Sequence, residues 1–352
     1  MVDMNITQPF PSFICDLQNL TYIDFNDNFL HGEFPTSLYN CSKLEYIELS
    51  SNAFVGTIPD DTDHLANLRF LYLSRNNFSG DIPASIGNLS NLKLLDITGN
   101  YELHPSKFPS SFIRMKNLKI LHMSSTNLIG EIPNNIGEML ALEQLNLSWN
   151  NLSGTIPRGL FSLKNLTKLY LYSNRLHGEI PDGKIPEEFG ELQNLVSLSL
   201  RDNLLSGNIP KSLCQASSLK ELSLSYNNFT GLIPQCLLTF LNLTYLDLGM
   251  NNLSGTLPES LCQSSSLEVL ILSDNNFTGP IPQCFGTFPN LTYLNLQANN
   301  LSGTLPKSLC QASSLKALRL SYNYFAGPIP QCLLTFLNLT SLALAMNNLS
   351  GS

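Results

Sequence analysis

The stretch that decides the fold is Leu246-Asp247-Leu248-Gly249-Met250-Asn251-Asn252-Leu253-Ser254-Gly255-Thr256-Leu257-Pro258, whose pattern recurs about every 24 residues along the 352-residue chain. Self-similarity at a fixed period predicts a repeat architecture in which each copy, here called a coil, is one supersecondary unit. We number the coils by the residue three places after the second Leu, which we call the anchor. The fourteen anchors are Asn28, Asn52, Asn76, Asn100, Thr126, Asn150, Asn174, Asn203, Asn227, Asn251, Asn275, Asn299, Asn323 and Asn347.

Each coil predicts one short strand. Its two apolar residues, such as Leu246 and Leu248, alternate with polar ones, which is the period of a half-buried strand. The anchor Asn offers two donors and an acceptor, so a column of such residues can satisfy backbone groups that stacking would bury. The Gly after the anchor permits the backbone conformation of a turn, and the Pro that follows favours the extended segment that leads to the next coil. The pattern therefore predicts an α/β repeat solenoid with a parallel sheet on its concave side.

The continuous repeat indicates one solenoid over residues 1–352, with no linker and with both caps missing. Residues 211–352 read as tandem copies of a 48-residue, two-coil unit. Two breaks in register are expected, with two extra residues within 101–109 and five extra residues within 182–186. Both fall after the anchor, so the sheet is expected to continue past them.

Composition and motifs argue against most other classes of protein. Charged residues make up 13% of the chain, against about a quarter in ordinary globular proteins. A net charge of −8 disfavours nucleic acid or an anionic membrane as partner. The sequence shows no nucleotide loop, zinc-protease motif or nucleophile elbow, so we expect no enzyme, no cofactor and no metal. We find neither a signal peptide nor an apolar run near 18 residues, which predicts no membrane insertion by this chain.

Cysteines and glycosylation motifs bear on the compartment. The eight cysteines include no close Cys-x-x-Cys pair. Bonds between neighbouring coils, such as Cys214 to Cys236, would be near the roughly 7 Å limit for a disulfide, so we favour buried apolar thiols and keep disulfides as the alternative. Sixteen Asn-x-Ser/Thr motifs occur, of which the repeat copies some automatically. Many lie on expected surface turns, which favours the secretory route.

We expect function on the open face of the sheet, defined as the residues six, four, two and one places before each anchor. Copies 211–255 and 307–351 differ at eight positions, of which five lie on the eight open-face positions and three on the other 37. Random drift would have altered the open face and the rest of the surface equally often. The concentration of differences on the open face therefore favours a recognition surface. The alternative is that tyrosines occur there only because tyrosine favours strands. Aromatic and hydrogen-bonding groups are densest over coils three to seven. The predicted ligand-binding residues are Phe70, Tyr72, Arg75, His122, Gln144, Trp149, Lys168, Tyr170 and Tyr172.

The repeat Leu-x-x-Leu-x-Leu-x-x-Asn-x-Leu-Ser-Gly-x-Ile-Pro resembles the plant-type extracellular leucine-rich repeat over essentially the whole chain. Residues 5–202 resemble more closely the ectodomains of HAESA-like receptor kinases, through 11–17, 39–44, 80–87 and the irregular coil around 104–107. Later coils resemble plant leucine-rich repeats generally. The resemblance implies a right-handed superhelix with short helical turns on the convex side and a second short strand near Ser153-Gly154-Thr155.

The resemblance also implies a ligand-recognition ectodomain at the extracellular face of the plasma membrane. Its partners would be a secreted peptide on the concave face and a leucine-rich repeat co-receptor kinase, with signalling through a kinase absent from this chain. The paired Arg-x-Arg that such receptors use for a peptide carboxylate is missing around Arg201 and Arg319. A receptor-like protein or a secreted inhibitor that binds another protein in defence therefore stays as the alternative.

Overall fold

In each of the chain's two compact units, one short strand per coil forms a parallel open-face sheet. The computed structural model describes residues 4–180, 192–239, 241–263, 265–331, 333 and 338–350, and the chain divides into two compact units, Met1–Leu176 and His177–Ser352. In the first unit the strands are Tyr22–Asp24, Tyr46–Glu48, Phe70–Tyr72, Leu94–Asp96, Ile120–His122, Gln144–Asn146 and Lys168–Tyr170. In the second unit they are Ser197–Ser199, Glu221–Ser223, Tyr245–Asp247, Val269–Ile271, Tyr293–Asn295, Ala317–Arg319 and Ser341–Ala343.

A second row of strands follows the anchors. In the first unit these strands are His31–Gly32, Ala53–Thr57, Asn77–Gly80, Glu102–Leu103, Ile129–Glu131 and Asn151–Ser153. In the second unit they are His177–Glu179, Leu204–Asn208, Asn228–Gly231, Asn252–Thr256, Asn276–Gly279, Asn300–Gly303, Tyr324–Pro328 and Asn348–Ser350. The second strand expected near Ser153 is thus present and begins two residues earlier, at Asn151.

The helical turns that the structure describes on the other side of the coils are short 3₁₀ helices. They are Ser12–Asp16, Thr36–Asn40, Thr62–His64, Ala84–Asn88, Ser110–Arg114, Asn134–Glu138 and Arg158–Ser162 in the first unit. The second unit has Lys211–Gln215, Gln235–Thr239, Glu259–Gln263, Gln283–Thr287 and Lys307–Gln311. Segments of three to five residues are too short to nucleate an α-helix, and the tighter 3₁₀ turn suits them. None of the described helices is long and apolar enough to cross a membrane.

The register of the first unit's sheet follows the repeat period. Tyr22 pairs with Tyr46, 24 residues on, whereas Leu94 pairs with Ile120, 26 residues on. The two extra residues expected in the fourth coil are therefore absorbed after the anchor, and the sheet continues past them. The second expected break, within 182–186, lies outside the described residues.

The anchor asparagines form the predicted ladder of side-chain hydrogen bonds. Asn76, 7% exposed, donates from Nδ2 to the carbonyls of Leu49, Leu73 and Ser74 at 3.0, 3.1 and 3.2 Å. Its Oδ1 accepts from the backbone N–H of Phe54 at 3.2 Å. One side chain thereby satisfies four backbone groups and joins two coils, because Leu49 and Phe54 belong to the preceding one.

A second column of asparagines lies nine places before the anchors. In the first unit the Nδ2 of Asn67 donates to the carbonyl of Ser42 at 2.8 Å, and that of Asn91 donates to Ala66 at 3.0 Å. Both side chains are exposed, so each bond contributes less than the buried anchor bonds do. Sequence analysis did not find this column, although the recurring Asn-Leu before each strand is its signal.

Disulfide bonds join neighbouring coils, so the expectation of apolar thiols is wrong. Cys15 bonds to Cys41 with a Cα–Cα distance of 4.9 Å, and Cys214 bonds to Cys236 with a Cα–Cα distance of 5.5 Å. These distances lie well inside the range that a disulfide spans, because the 3₁₀ segments of adjacent coils stack directly on each other.

The last strand should exchange its amide hydrogens earlier than the centre of the chain. Leu342 is 42% exposed, whereas Leu145 and Leu147 are fully buried. In a repeat array each coil is stabilised by its neighbours, so local opening beyond Asn323 should cost less free energy than opening around coil six. Hydrogen exchange read by mass spectrometry checks this expectation. Equal protection of the two regions would contradict it.

Candidate functional site

The residue just before each anchor has a left-handed backbone. Trp149 has φ 53°, and the same conformation recurs in the coils of both units. A non-glycine residue rarely adopts it, and Trp149 is held there by its N–H bond to the Tyr172 carbonyl at 2.9 Å. The neighbouring Asn150 N–H donates to the Ser173 carbonyl at 3.2 Å. This geometry lifts the side chain out of the sheet, so that Trp149 is 60% exposed.

Three of the predicted site residues form what we call the central aromatic cluster: Trp149, Tyr170 and Tyr172. The rings of Trp149 and Tyr172 meet edge to face with centroids 6.4 Å apart. The rings of Tyr170 and Tyr172 do so at 6.3 Å. Such contacts hold each ring in a defined position while leaving apolar surface accessible, which is the property of interface anchors.

Next to this cluster lies a polar group made of His122, Gln144 and Lys168. Gln144 pairs in register with Ile120 on one side and with Lys168 on the other. Burial lowers the pKa of His122; the nearby Asp96 carboxylate and a hydrogen bond with Gln144 oppose this shift, and the Lys168 ammonium adds to it. The open face therefore presents donors and acceptors beside exposed rings.

The remaining predicted residues separate into two places. Phe70 and Tyr72 both approach Tyr46, with ring centroids 5.8 and 5.5 Å apart, in coils two and three. Arg75 lines a cavity of about 520 Å³ at the edge of the sheet, whose lining includes Tyr101. The sequence thus predicted which face of the first unit these residues share. It did not predict that they form separate groups on that face.

The residue four places before the anchor has a structural role that sequence analysis missed. Where it is Asp, Glu or Asn, its side-chain oxygen can accept the N–H two places on, as Glu48 does from Ser50 at 2.8 Å and Asp96 does from Thr98 at 3.0 Å. The carboxylates of Glu48 and Asp96 are therefore held by the backbone. The preference for Asp, Asn or Glu at this position was the available signal.

Asn146 should stay unglycosylated although it begins an Asn-x-Ser motif. Its Oδ1 accepts from the N–H of Ser148 at 3.1 Å and from the Ser148 hydroxyl at 2.6 Å, so both polar groups of the motif are used in the sheet. Ser148 is fully buried, whereas Asn151 of the next motif is exposed. Glycopeptide mass spectrometry of the secreted protein should find glycan on Asn151 and none on Asn146. A glycan on Asn146 would contradict this prediction.

His122 should make stability depend on pH. Because burial lowers its pKa in the folded protein, the unfolded chain binds the proton more readily, and protonation favours unfolding. The free energy of unfolding should therefore fall as pH drops below about 6.5, the usual histidine pKa, towards the lowered value. Urea unfolding at several pH values should show a shallower dependence for His122→Gln. The exposed His177→Gln change is the matched control, and equal pH dependence of all three proteins would contradict the assignment.

The second unit holds two open-face arginines that are not paired with each other. The guanidinium carbon of Arg201 lies 4.9 Å from the ring centroid of Tyr226, and that of Arg319 lies 5.5 Å from that of Tyr293. Each cation is thus stacked on a tyrosine. This arrangement differs from two parallel guanidinium groups directed at one carboxylate.

Comparison with known families gives the class of the protein. The family model described as leucine-rich repeat region matches residues 59–350, and a second leucine-rich repeat model matches residues 18–78. The chain therefore belongs to the leucine-rich repeat family. The expected leucine-rich repeat solenoid is confirmed. A comparison with curated protein sequences gave no match.

Solved structures of plant receptors are similar to this chain. A TDR receptor is 33% identical over 97% of this chain and 58% of its own, with a TM-score of 0.91. The plant peptide hormone receptor RGFR1, in complex with RGF2, is 32% identical over 99% of this chain and 63% of its own, with a TM-score of 0.74. The Arabidopsis receptor kinase HAESA ectodomain, in complex with an IDA peptide hormone, is 30% identical over 99% of this chain and 70% of its own, with a TM-score of 0.71. The chain thus spans about three fifths of the first two receptors.

Proposed function

We propose that this chain recognises a secreted peptide on the open face of its first unit, as part of a plant cell-surface receptor. The observation that carries this proposal is the central aromatic cluster of Trp149, Tyr170 and Tyr172 beside the polar group of His122, Gln144 and Lys168. An extended peptide lying across the strands would meet ring surfaces for burial and side-chain donors and acceptors for orientation. Binding, with no catalytic step, is the whole of the proposed activity.

The similar receptors support the choice of a peptide. RGFR1 binds the peptide hormone RGF2, and HAESA binds IDA, in one structure together with the co-receptor SERK1. By analogy, the parent protein of this chain would recruit a leucine-rich repeat co-receptor kinase and signal through a kinase domain. This analogy rests on the fold family, whereas the assignment of residues rests on the geometry of the open face.

The disulfide bonds support an extracellular location. Cys15–Cys41 and Cys214–Cys236 would be reduced in the cytosol, whereas they persist in the secretory route and outside the cell. The glycosylation motifs point to the same compartment. We therefore propose that the chain is exposed at the outer face of the plasma membrane.

A second candidate is a receptor-like protein or secreted inhibitor that binds another protein. The stacking of Arg201 on Tyr226 and of Arg319 on Tyr293 favours it, because neither arginine joins a fork for a peptide carboxylate. The coding sequence after Ser352 separates the two candidates. A kinase domain supports the peptide receptor, whereas a stop codon or a lone membrane helix supports the protein binder.

Selection from a library of random peptides tests the peptide proposal. The glycosylated protein is immobilised, and peptides are selected for binding to it and against binding to the Trp149→Ala/Tyr170→Ala variant. We expect a set of peptides that bind the natural chain and are lost with the variant. Failure to enrich any peptide, or enrichment that the variant does not reduce, would overturn the proposal.

A further inference from the structure

A second aromatic group occupies the open face of coils one to three. We call Tyr22, Tyr46, Phe70 and Tyr72 the N-terminal aromatic cluster. The rings of Tyr22 and Tyr46 are stacked, with centroids 4.2 Å apart and planes 14° apart, and Tyr46 also approaches both Phe70 and Tyr72. Tyr22 is 54% exposed. Tyr46, Phe70 and Tyr72 are also partly exposed, so the cluster offers ring surface to a ligand.

Carboxylates lie in the same rows of the sheet as these rings. The register pairs Asp24 with Glu48, Glu48 with Tyr72, and Tyr72 with Asp96. One column of the open face therefore contains, in order, Asp24, Glu48, Tyr72 and Asp96. The backbone N–H of Ser50 donates to Glu48 at 2.8 Å, so the charge at the centre of the column is held in position.

Glu48 and Asp96 of this column take no part in the ion pairs found among the described residues. Those pairs use other carboxylates, such as Glu45 with Arg69 and Glu143 with Lys119. Burial raises the pKa of Glu48, hydrogen bonds from Ser50 oppose the shift, and the carboxylates of Asp24 and Asp96 add to it. Negative charge beside ring faces is the arrangement that a cation on a ligand relieves.

We propose that the N-terminal aromatic cluster and the carboxylates of Glu48 and Asp96 form a docking surface for a basic segment of the ligand. A guanidinium or ammonium group would lie against the ring of Tyr46 or Tyr72 and hydrogen-bond to Glu48 or Asp96. Both interactions strengthen each other, since the ring attracts the cation and the carboxylate orients it. This inference rests on the proposed peptide function and adds the chemical class of one part of the ligand.

Strand spacing gives the separation of the basic residues. Glu48 and Asp96 are two strands apart, which is about 10 Å at the usual spacing of roughly 4.8 Å. A polyproline II chain advances by about 3.1 Å per residue and has three residues per turn, so residues three apart lie about 9 Å apart on the same side of the chain. The ligand should therefore have two basic side chains in an i, i+3 relation.

Defined synthetic peptides test this inference. The probes are glycine- and serine-based peptides of about twelve residues, a length sufficient to cross all of the first unit's open-face strands. One peptide has two arginines three residues apart, a second has citrulline in their place, a third has glutamate, and a fourth has the arginines two residues apart. Fluorescence anisotropy with the glycosylated protein should show the first peptide binding about tenfold more tightly than each of the others, because only it has cations at the matching spacing.

Charge-neutral variants identify the surface. The Glu48→Gln/Asp96→Asn protein should lose about tenfold in affinity for the first peptide, since the paired charges are gone. The Asp16→Asn/Glu102→Gln protein is the matched control, because it removes the same charge from exposed side chains outside the open face. Equal loss in both proteins would show a general electrostatic attraction and would overturn the inference.

The library selection separates this inference from the proposed function. Selected peptides that depend on Trp149 but contain no enriched basic residues would overturn the basic docking surface and leave the peptide proposal standing. Equal binding of the citrulline or glutamate probe would also overturn the docking surface. Enrichment of basic residues three apart, lost on the Glu48→Gln/Asp96→Asn protein, would support it.

Discussion

Replacing Asn76 with alanine should lower the free energy of unfolding by about 3 kcal/mol or more. The change leaves the carbonyls of Leu49, Leu73 and Ser74 and the N–H of Phe54 without their side-chain partner. Each buried polar group left without a partner costs about 1 to 3 kcal/mol of stability. Adjustment of the backbone, or a water molecule that enters the site, recovers only part of this free energy. Chemical unfolding of the two proteins, followed by circular dichroism, measures the difference.

Two further variants make the Asn76 test specific. Asn76→Thr should destabilise less than alanine, because Thr126 occupies an anchor position naturally and its hydroxyl donates to the Met123 carbonyl at 2.8 Å. Asn91→Ala removes one exposed bond to the Ala66 carbonyl and should cost less than about 1 kcal/mol. Similar losses for Asn76→Ala and Asn91→Ala would show that the anchor ladder does not hold the coils together.

Replacing Trp149 with alanine should weaken binding of a selected peptide by about 2 kcal/mol, which is roughly a 30-fold increase in Kd. The exposed indole contributes ring surface and also supports the ring of Tyr172. Tyr170→Ala should act in the same direction for the same reason. Isothermal titration of the purified variants with one selected peptide gives both values.

The controls for the Trp149 prediction are alanine substitutions of exposed residues that lie outside the proposed site. Phe13 is 71% exposed and belongs to the 3₁₀ helix Ser12–Asp16, outside the open face, so Phe13→Ala removes an aromatic ring without touching the proposed site. Lys211→Ala changes an exposed residue of a 3₁₀ helix. Both should leave the Kd nearly unchanged. A Kd unchanged by Trp149→Ala, at an unchanged melting temperature, would show that the site lies elsewhere.

Much of the fold could be predicted because the same pattern of apolar and polar residues recurs in every coil. A single Leu-x-Leu is ambiguous, but its recurrence at one spacing fixes which face is buried and which coil pairs with which. The pairing of Tyr22 with Tyr46 and the extra step from Leu94 to Ile120 both follow from counting residues. The anchor ladder was also predictable, since a buried Asn in a turn must find partners for three polar groups.

The candidate site was only partly predictable. Alternation along the strands places Gln144, Lys168 and Tyr170 on one face, and the sequence showed this. It did not show that Phe70 and Tyr72 belong with Tyr46, apart from the central aromatic cluster, because ring contacts depend on side-chain rotamers across neighbouring strands. Nor did it show that Arg75 lines a cavity at the sheet edge.

The sequence by itself determined the leucine-rich repeat class, the register of the first unit's strands and the side chains that lie on the open face, because all three follow from a period and an alternation. The tertiary structure alone decided the left-handed backbone at Trp149 and the disulfide between Cys214 and Cys236. Each of these depends on how closely one coil stacks on the next. The distance between neighbouring coils is set by side-chain packing, so the sequence pattern of a single coil does not predict it.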